Sequence, residues 1–213
     1  RGVAPAGCIV GEPTGMKLVV AHKGKKSWRC RVRGHEAHSS LTPRGVNAVE
    51  IACQIVAYLT AMARRLREAD RRDDAYDVPY TTVHVGTIRG GTALNIVPRD
   101  CEFTFEVRHL PFDDPDALFD EVRAYAETFL PAMRAVAPDA CVAFDALSTL
   151  PGFDTRDGSA IARLGHELCG HAGAGKVSFG TEASLFHRAS VPTVICGPGH
   201  IERDALAAQR HLF

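Results

Sequence analysis

Cys101-Glu102-Phe103-Thr104-Phe105-Glu106-Val107-Arg108 alternates apolar and polar residues without a break. In an extended chain, Cys101, Phe103, Phe105 and Val107 project to one side, and Glu102, Thr104, Glu106 and Arg108 to the other. The pattern predicts a strand with one covered face and one polar face. Residues 26–33 behave alike, with Trp28, Cys30 and Val32 opposed to Ser27, Arg29, Arg31 and Arg33. Residues 80–88 read as a third strand and 141–144 as a short fourth. Two helices fit between these strands. Across 46–67, Val49, Ala52, Cys53, Val56, Leu59, Met62, Ala63 and Leu66 recur at threes and fours, which makes one broad apolar stripe. The second helix has Asp114 as cap, Pro115 in its first turn and the stripe Leu118, Val122, Tyr125, Phe129. The order strand, helix, strand, strand, helix, strand is that of a split double βαβ unit, a ferredoxin-like α+β layer with both helices on one face of the sheet.

The flanks differ in style. Cys8-Ile9-Val10 is a short strand stopped by Gly11-Glu12-Pro13-Thr14-Gly15. Glu12 therefore stands on the loop leaving a strand, which is where ligands bind if the sheet is parallel. After residue 150 come a helix over 159–169, expected to turn Ile161, Leu164 and Leu168 inward and to stop at Gly170, a Gly-rich turn at 173–175 and a strand over 192–196. Gly197-Pro198-Gly199 closes that strand. This suits α/β architecture. The expected division is one domain from 1–22 and 150–213, with 23–149 inserted between. Residues 68–77 read as a charged linker.

The 213 residues are 46% apolar and 23% charged, ordinary for a folded domain. Lys plus Arg and Asp plus Glu both total 25, so no net positive charge favours phosphate binding. The cluster Arg64, Arg65, Arg67, Arg71 and Arg72 is interleaved with Glu68, Asp70, Asp73 and Asp74 and reads as a solvated helix end. The polar face of 101–108 lacks the stacking aromatics of an RNA-binding sheet. No nucleic-acid partner is expected. The seven cysteines form no CxxC pair, which favours a reducing, cytoplasmic setting. No run approaches the roughly 20 apolar residues needed to cross a bilayer, so no membrane partner is expected.

Several residues could carry chemistry. Glu12 is either an exposed loop carboxylate or a hard ligand for a metal, though no HxxxH, HExxH or CxxC spacing accompanies it. His35 and His38, beside Ser39 and Ser40, form a polar loop in which a histidine could donate to a carbonyl or an oxyanion. Asn95 could satisfy nearby backbone or hold a substrate carboxylate. Arg108 has a planar fork suited to carboxylate binding, or it bridges to Glu102 or Glu106. Gly180-Thr181-Glu182 and Gly197-Pro198-Gly199 offer backbone sites.

Taken in order, seven runs carry a resemblance. They are Gly11-Glu12-Pro13-Thr14, Ala21-His22-Lys23-Gly24, residues 34–48, Asn95-Ile96-Val97-Pro98, Arg108-His109-Leu110-Pro111, Gly180-Thr181-Glu182-Ala183 and Gly197-Pro198-Gly199. The chain resembles the M20 family of metallopeptidases and amidohydrolases, and the HKGK, GTEA and ICGPG stretches resemble its branch that hydrolyses N2-acetyl-L-ornithine to L-ornithine and acetate. The resemblance implies part of a zinc-peptidase-like α/β catalytic domain with an inserted ferredoxin-like lid and dimerisation domain. It further implies zinc or cobalt as cofactor, a small N-acylated amino acid as substrate and a homodimer formed through the lid. It assigns Glu12 as a metal ligand, His38 as the lid histidine that reaches the scissile carbonyl, and Asn95, Arg108 and Thr181 as substrate-side residues. Glu12 is expected on a strand-end loop near the other three.

Two departures accompany the likeness. The family's His-x-Asp motif, bridging Asp and Glu-Glu pair precede the Glu12 position, where only eleven residues stand here. Its Ala-His-Lys-Pro after Gly-Pro-Gly is not found, and Ala205 stands at the histidine position; a truncated or frame-altered terminus accounts for this more simply than replacement by His200 or His211. The expectation is a carboxy-terminal part of a longer enzyme, inactive when isolated, with a non-catalytic homodimerisation or binding module, or a related N-acyl-amino-acid or succinyl-diaminopimelate hydrolase, as the alternative.

Overall fold

A computed structural model describes residues 5–170 and 173–200. In chain order the elements are β1 (Cys8–Val10), β2 (Val19–His22), β3 (Gly24–Arg33), α1 (Ala48–Glu68), β4 (Thr82–Gly90), β5 (Asp100–His109), α2 (Pro115–Glu127), α3 (Leu130–Val136), β6 (Cys141–Leu150), β7 (Phe153–Asp154), α4 (Ala160–Cys169), β8 (Gly175–Val177), α5 (Ala183–Arg188) and β9 (Thr193–Ile195). A 3-10 helix covers Ser39–Arg44. The chain forms two compact units. One comprises Arg1–Gly24, Arg72–Pro79 and Leu150–Phe213, and the other Lys25–Arg71 and Tyr80–Thr149.

The second unit is the ferredoxin-like layer. Its sheet runs β4-β5-β3-β6. Numbered by order within the unit, that is the arrangement 4-1-3-2 read from the β6 edge. β4 and β5 pair antiparallel, with Val83 opposite Val107 and Val85 opposite Phe105 before a register shift at Gly86. The alternation that predicted β5 is obeyed residue by residue: Cys101, Phe103, Phe105 and Val107 are buried. They join Trp28, Cys30 and Val32 of β3 and Ile55, Leu59 and Met62 of α1 in one core. Trp28 stacks on Phe105 and Phe119, with ring centroids 5.3 and 4.8 Å apart. Asn47 starts α1 by accepting the N–H groups of Val49 and Glu50, and Asp114 does the same for α2 at Asp116 and Ala117. The fourth strand extends well past the four residues that the sequence marks, to Leu150. Its later residues are mostly exposed, so no apolar alternation advertised them.

The first unit is built on a mixed sheet of very short strands, β1-β9-β2-β7 with β8 also paired to β2. β1 and β9 are parallel, whereas β2 runs antiparallel to β9 and β7. Its two faces are both covered. Val10, Val19, Phe153 and Ile195 pack with Ala183 of α5, while Leu18, Val20 and Val194 pack with Ile161 and Ala162 of α4. Adjacent residues Val194 and Ile195 thus enter different cores, as the pleat requires. β2 is buried at all four positions. Such a strand shows no alternation, which explains why sequence periodicity did not mark it.

Two expectations require correction. α4 begins after its Ser159 cap and stops at left-handed Gly170, φ 67°, as anticipated. However, Leu164 and Leu168 are exposed, and the buried stripe is Ile161, Ala162 and Gly165. Gly165 lies against the Leu18 side chain, which would have to shift to admit a side-chain carbon there, so this helix approaches its sheet through small residues. The charged stretch after α1 is no free linker either, since 72–79 packs within the first unit. Tyr76 is 4% exposed. Lys23 and Lys176 stand over its ring, 6.0 and 5.5 Å from the centroid, and Lys176 bonds Asp73 at 2.9 Å and Asp154 at 2.8 Å. No described helix is long and apolar enough to cross a membrane.

Candidate active site

Glu12 and Thr181 belong to the first unit, and His38, Asn95 and Arg108 to the second. Glu12 follows the end of β1 on a turn closed by the Thr14 N–H to the Glu12 carbonyl, 2.8 Å. Thr14 steadies the turn through its hydroxyl, which donates to the Lys17 carbonyl at 2.7 Å and accepts the Gly197 N–H at 3.2 Å. Gly15 and Met16 both take left-handed φ, 64° and 61°, and reverse the chain into β2. His200 pairs with Thr14 and covers Gly15. Burial, then the charge and hydrogen bond of Glu182, holds the Glu12 carboxyl above the ordinary carboxylate range. Glu12 and the Thr181-Glu182 loop are therefore neighbours.

Fully buried His22 fixes that loop. Its Nδ1 lies 2.8 Å from the Lys23 carbonyl, and its Nε2 accepts the Thr181 N–H at 3.1 Å. The neutral tautomer with the proton on Nδ1 satisfies both contacts. The Thr181 carbonyl, 3.0 Å from Nε2, accepts the Ser184 hydroxyl at 3.1 Å. Burial lowers the His22 pKa despite these backbone contacts, and Phe153 meets the ring edge-on at 4.7 Å. Thr181 itself is buried, with its hydroxyl accepting the Ala183 N–H at 3.1 Å to start α5. His22 was visible in the sequence only as part of the Ala-His-Lys-Gly run, and nothing there announced its bond to a residue 159 positions away.

In the second unit two loops are stitched together by backbone. Ser39 N–H bonds the Asn95 carbonyl at 3.0 Å, and Val97 N–H bonds the Ala37 carbonyl at 2.8 Å. His38, opposite Ile96, and Asn95 are thereby brought together, both with exposed side chains. His38 caps the 3-10 helix. Its Nδ1 accepts the Ser40 N–H at 3.2 Å and contacts the Ser40 hydroxyl at 2.8 Å. An accepting Nδ1 leaves the proton on Nε2, a donor on an exposed ring. His35 pairs through its backbone with Val46, 3.0 Å in each direction. Arg108, opposite Thr82 on β4, donates from Nε to Glu106 at 2.8 Å. The same-strand bridge is thus present. Burial works to raise the Glu106 carboxyl, but Arg108 and then Lys25 outweigh it and hold it below its ordinary range.

Among the described residues no group of three or more His, Cys, Asp and Glu side chains could hold a metal ion. Glu12 is the one expected ligand present, and zinc needs at least three protein donors. These residues alone do not fit a zinc or cobalt centre, and no chemical step is derived through one. Ala205 and His211 lie outside the described residues.

A ferredoxin-like layer joined at both ends to a two-faced α/β sheet, with a carboxylate at a strand end, agrees with the comparisons. The peptidase dimerisation domain of the M20 family matches residues 20–134. The chain belongs to the M20 peptidase and amidohydrolase family. It is 32% identical over 202 residues to acetylornithine deacetylase of Erwinia tasmaniensis, covering 93% of this chain and 50% of that protein. It is likewise 32% identical over 205 residues to acetylornithine deacetylase of Proteus mirabilis, covering 94% and 50%. The chain thus spans about half the length of these curated relatives. Among solved structures, aminopeptidase PepT of Bacillus cereus superposes with a TM-score of 0.67 at 22% identity, over 89% of this chain and 47% of that one. A tripeptidase of Staphylococcus aureus gives 0.63 at 21%, over 88% and 46%. These likenesses establish the fold.

Proposed function

We propose that the chain is the lid and carboxy-terminal share of a metal-dependent amidohydrolase that cleaves the amide of an N-acyl amino acid, with N2-acetyl-L-ornithine as substrate. The observation that carries this reading is the match to acetylornithine deacetylases over 93% of the chain, supported by Glu12 standing at a strand end beside Glu182. In this reading Glu12 supplies one hard oxygen ligand to zinc or cobalt. His38 donates from Nε2 to the scissile carbonyl, where negative charge develops. Asn95 and Arg108 hold the substrate, and Thr181 acts from its buried position by shaping the substrate-side loop. The isolated chain is expected to be inactive.

The test is a chimaera in which the first half of the Proteus mirabilis relative precedes this chain, assayed with zinc and with cobalt for amine release. Turnover of N2-acetyl-L-ornithine that is lost in Glu12→Gln supports the proposal. A preference for N-succinyl-diaminopimelate, or an unchanged rate in Glu12→Gln, overturns it.

The dimerisation-domain match favours a second property, a homodimer formed through the second unit. Sedimentation equilibrium of the chain should show dimer at micromolar concentration, and monomer alone would refute it.

A further inference from the structure

Cys169 ends α4, directly before left-handed Gly170. Cys196 follows β9 and donates its backbone N–H to the Val10 carbonyl at 3.0 Å. The two Sγ atoms stand 2.6 Å apart although 27 positions separate them in sequence. Both are free thiols with partial exposure. A disulfide needs the sulfurs only about 0.5 Å closer. Neither cysteine belongs to a CxxC motif, so only the fold pairs them.

We infer that Cys169 and Cys196 are a reversible oxidation site for small-molecule disulfides, and that closing it ties the end of α4 to the loop supporting Glu12. The link to Glu12 is made by backbone. Gly197, the next residue, accepts the Thr14 and Met16 N–H groups at 3.2 and 2.9 Å, and Gly199 accepts the Gly15 N–H at 2.6 Å. Gly197 also lies so close to the Glu12 carbonyl that no side-chain carbon would fit. A bond fixing Cys196 thereby braces the turn on which Glu12 stands.

The chemistry is thiol–disulfide exchange. The Cys169 thiolate attacks one sulfur of glutathione disulfide and releases one glutathione thiolate. Cys196 loses its proton to solvent, attacks the Cys169 sulfur and displaces the second glutathione thiolate. Two protein thiols are oxidised and one external disulfide is reduced. Burial, then the hydrogen bond with Cys169, pushes the Cys196 thiol up to about 11. A raised thiol is seldom ionised, so Cys196 is a poor group for the first, bimolecular attack; in the second step its sulfur, 2.6 Å from that of Cys169, attacks within the same chain.

The experiment uses the full chain, reduced and then held with glutathione disulfide under native conditions, alkylated and analysed by peptide mass spectrometry. The expected product is a peptide pair joined through Cys169 and Cys196, reversed by dithiothreitol. Amide exchange over residues 10–16 should slow in the joined form. Cys169→Ser and Cys196→Ser should each abolish the joined pair and leave the remaining partner alkylated or carrying glutathione. If circular dichroism shows the chain folded and both cysteines are recovered separately, the site is refuted. A joined pair without any change in exchange over 10–16 would overturn the link to Glu12. Neither readout depends on hydrolase activity.

Discussion

The second unit has one continuous core under a sheet of nine- and ten-residue strands. The first unit divides its buried apolar side chains between two small clusters on opposite faces of a sheet whose strands are two to four residues long. The second unit can rest on hydrophobic burial, which grows with apolar area. The first needs additional ties: His22 to the Thr181 loop, Lys176 to Asp73 and Asp154, and Thr14 to Gly197. The Glu12 turn lies in the unit held by polar and backbone contacts. A site there is sensitive to single hydrogen bonds, whereas the lid loops of His38 and Asn95 stand on a robust layer.

The largest expected effect tests that robustness. Phe103→Ala removes a fully buried ring from β5 and should cost about 3–5 kcal/mol in urea unfolding. Equal loss of amide protection in both units would show that they do not differ as described. The Cys169–Cys196 bond works the other way. Closing a loop across 27 positions should stabilise the first unit by about 3.5 kcal/mol if unfolded-chain entropy dominates. Differential exchange should place the gain in the first unit, and a gain spread over both would blur the comparison.

Acid provides a smaller, graded test. His22 in the first unit and His109 in the second are both buried, and burial sets both below the ordinary histidine value of 6.5. The unfolded chain then binds more protons than the folded one as pH falls through 6.5 toward each lowered value. The stability present above 6.5 should decline in that window by up to about 1.4 kcal/mol per pH unit for each histidine. His22→Gln should flatten this decline for residues 181–184 and leave the second unit's profile unchanged. An unaltered profile would mean that His22 does not hold the loop as a neutral ring. The smallest effect is expected at Tyr76, whose hydroxyl is buried without a hydrogen-bond partner among the described residues. Tyr76→Phe should be neutral or stabilising by about 1 kcal/mol. A clear loss of melting temperature would show that the hydroxyl has a role.

Legibility followed the same division. β3, β5, α1 and α2 could be read because each has one covered face, and a covered face leaves a period of two or near 3.6 in the sequence. β2 is buried on both faces, and β7 and β8 are too short to show any period. At α4 the exposed Leu164 and Leu168 imitated a buried stripe, because Gly165 and Ala162 let the helix pack closely. For the site, Glu12 could be located on a strand-end loop from the Gly-Glu-Pro-Thr run alone. The Glu182 contact that raises its carboxyl could not.

By itself, then, the amino-acid sequence determined the ferredoxin-like layer and the family, and nominated Glu12, His38, Asn95, Arg108 and Thr181 as candidates, because local periodicity and ordered motifs are properties of the chain. Only the tertiary structure decided that His22 anchors Thr181, that 72–79 docks through Tyr76, and that Cys169 meets Cys196. Each of these pairings spans a long stretch of chain. Their partners are chosen by the packing of two sheet faces, which no local pattern records.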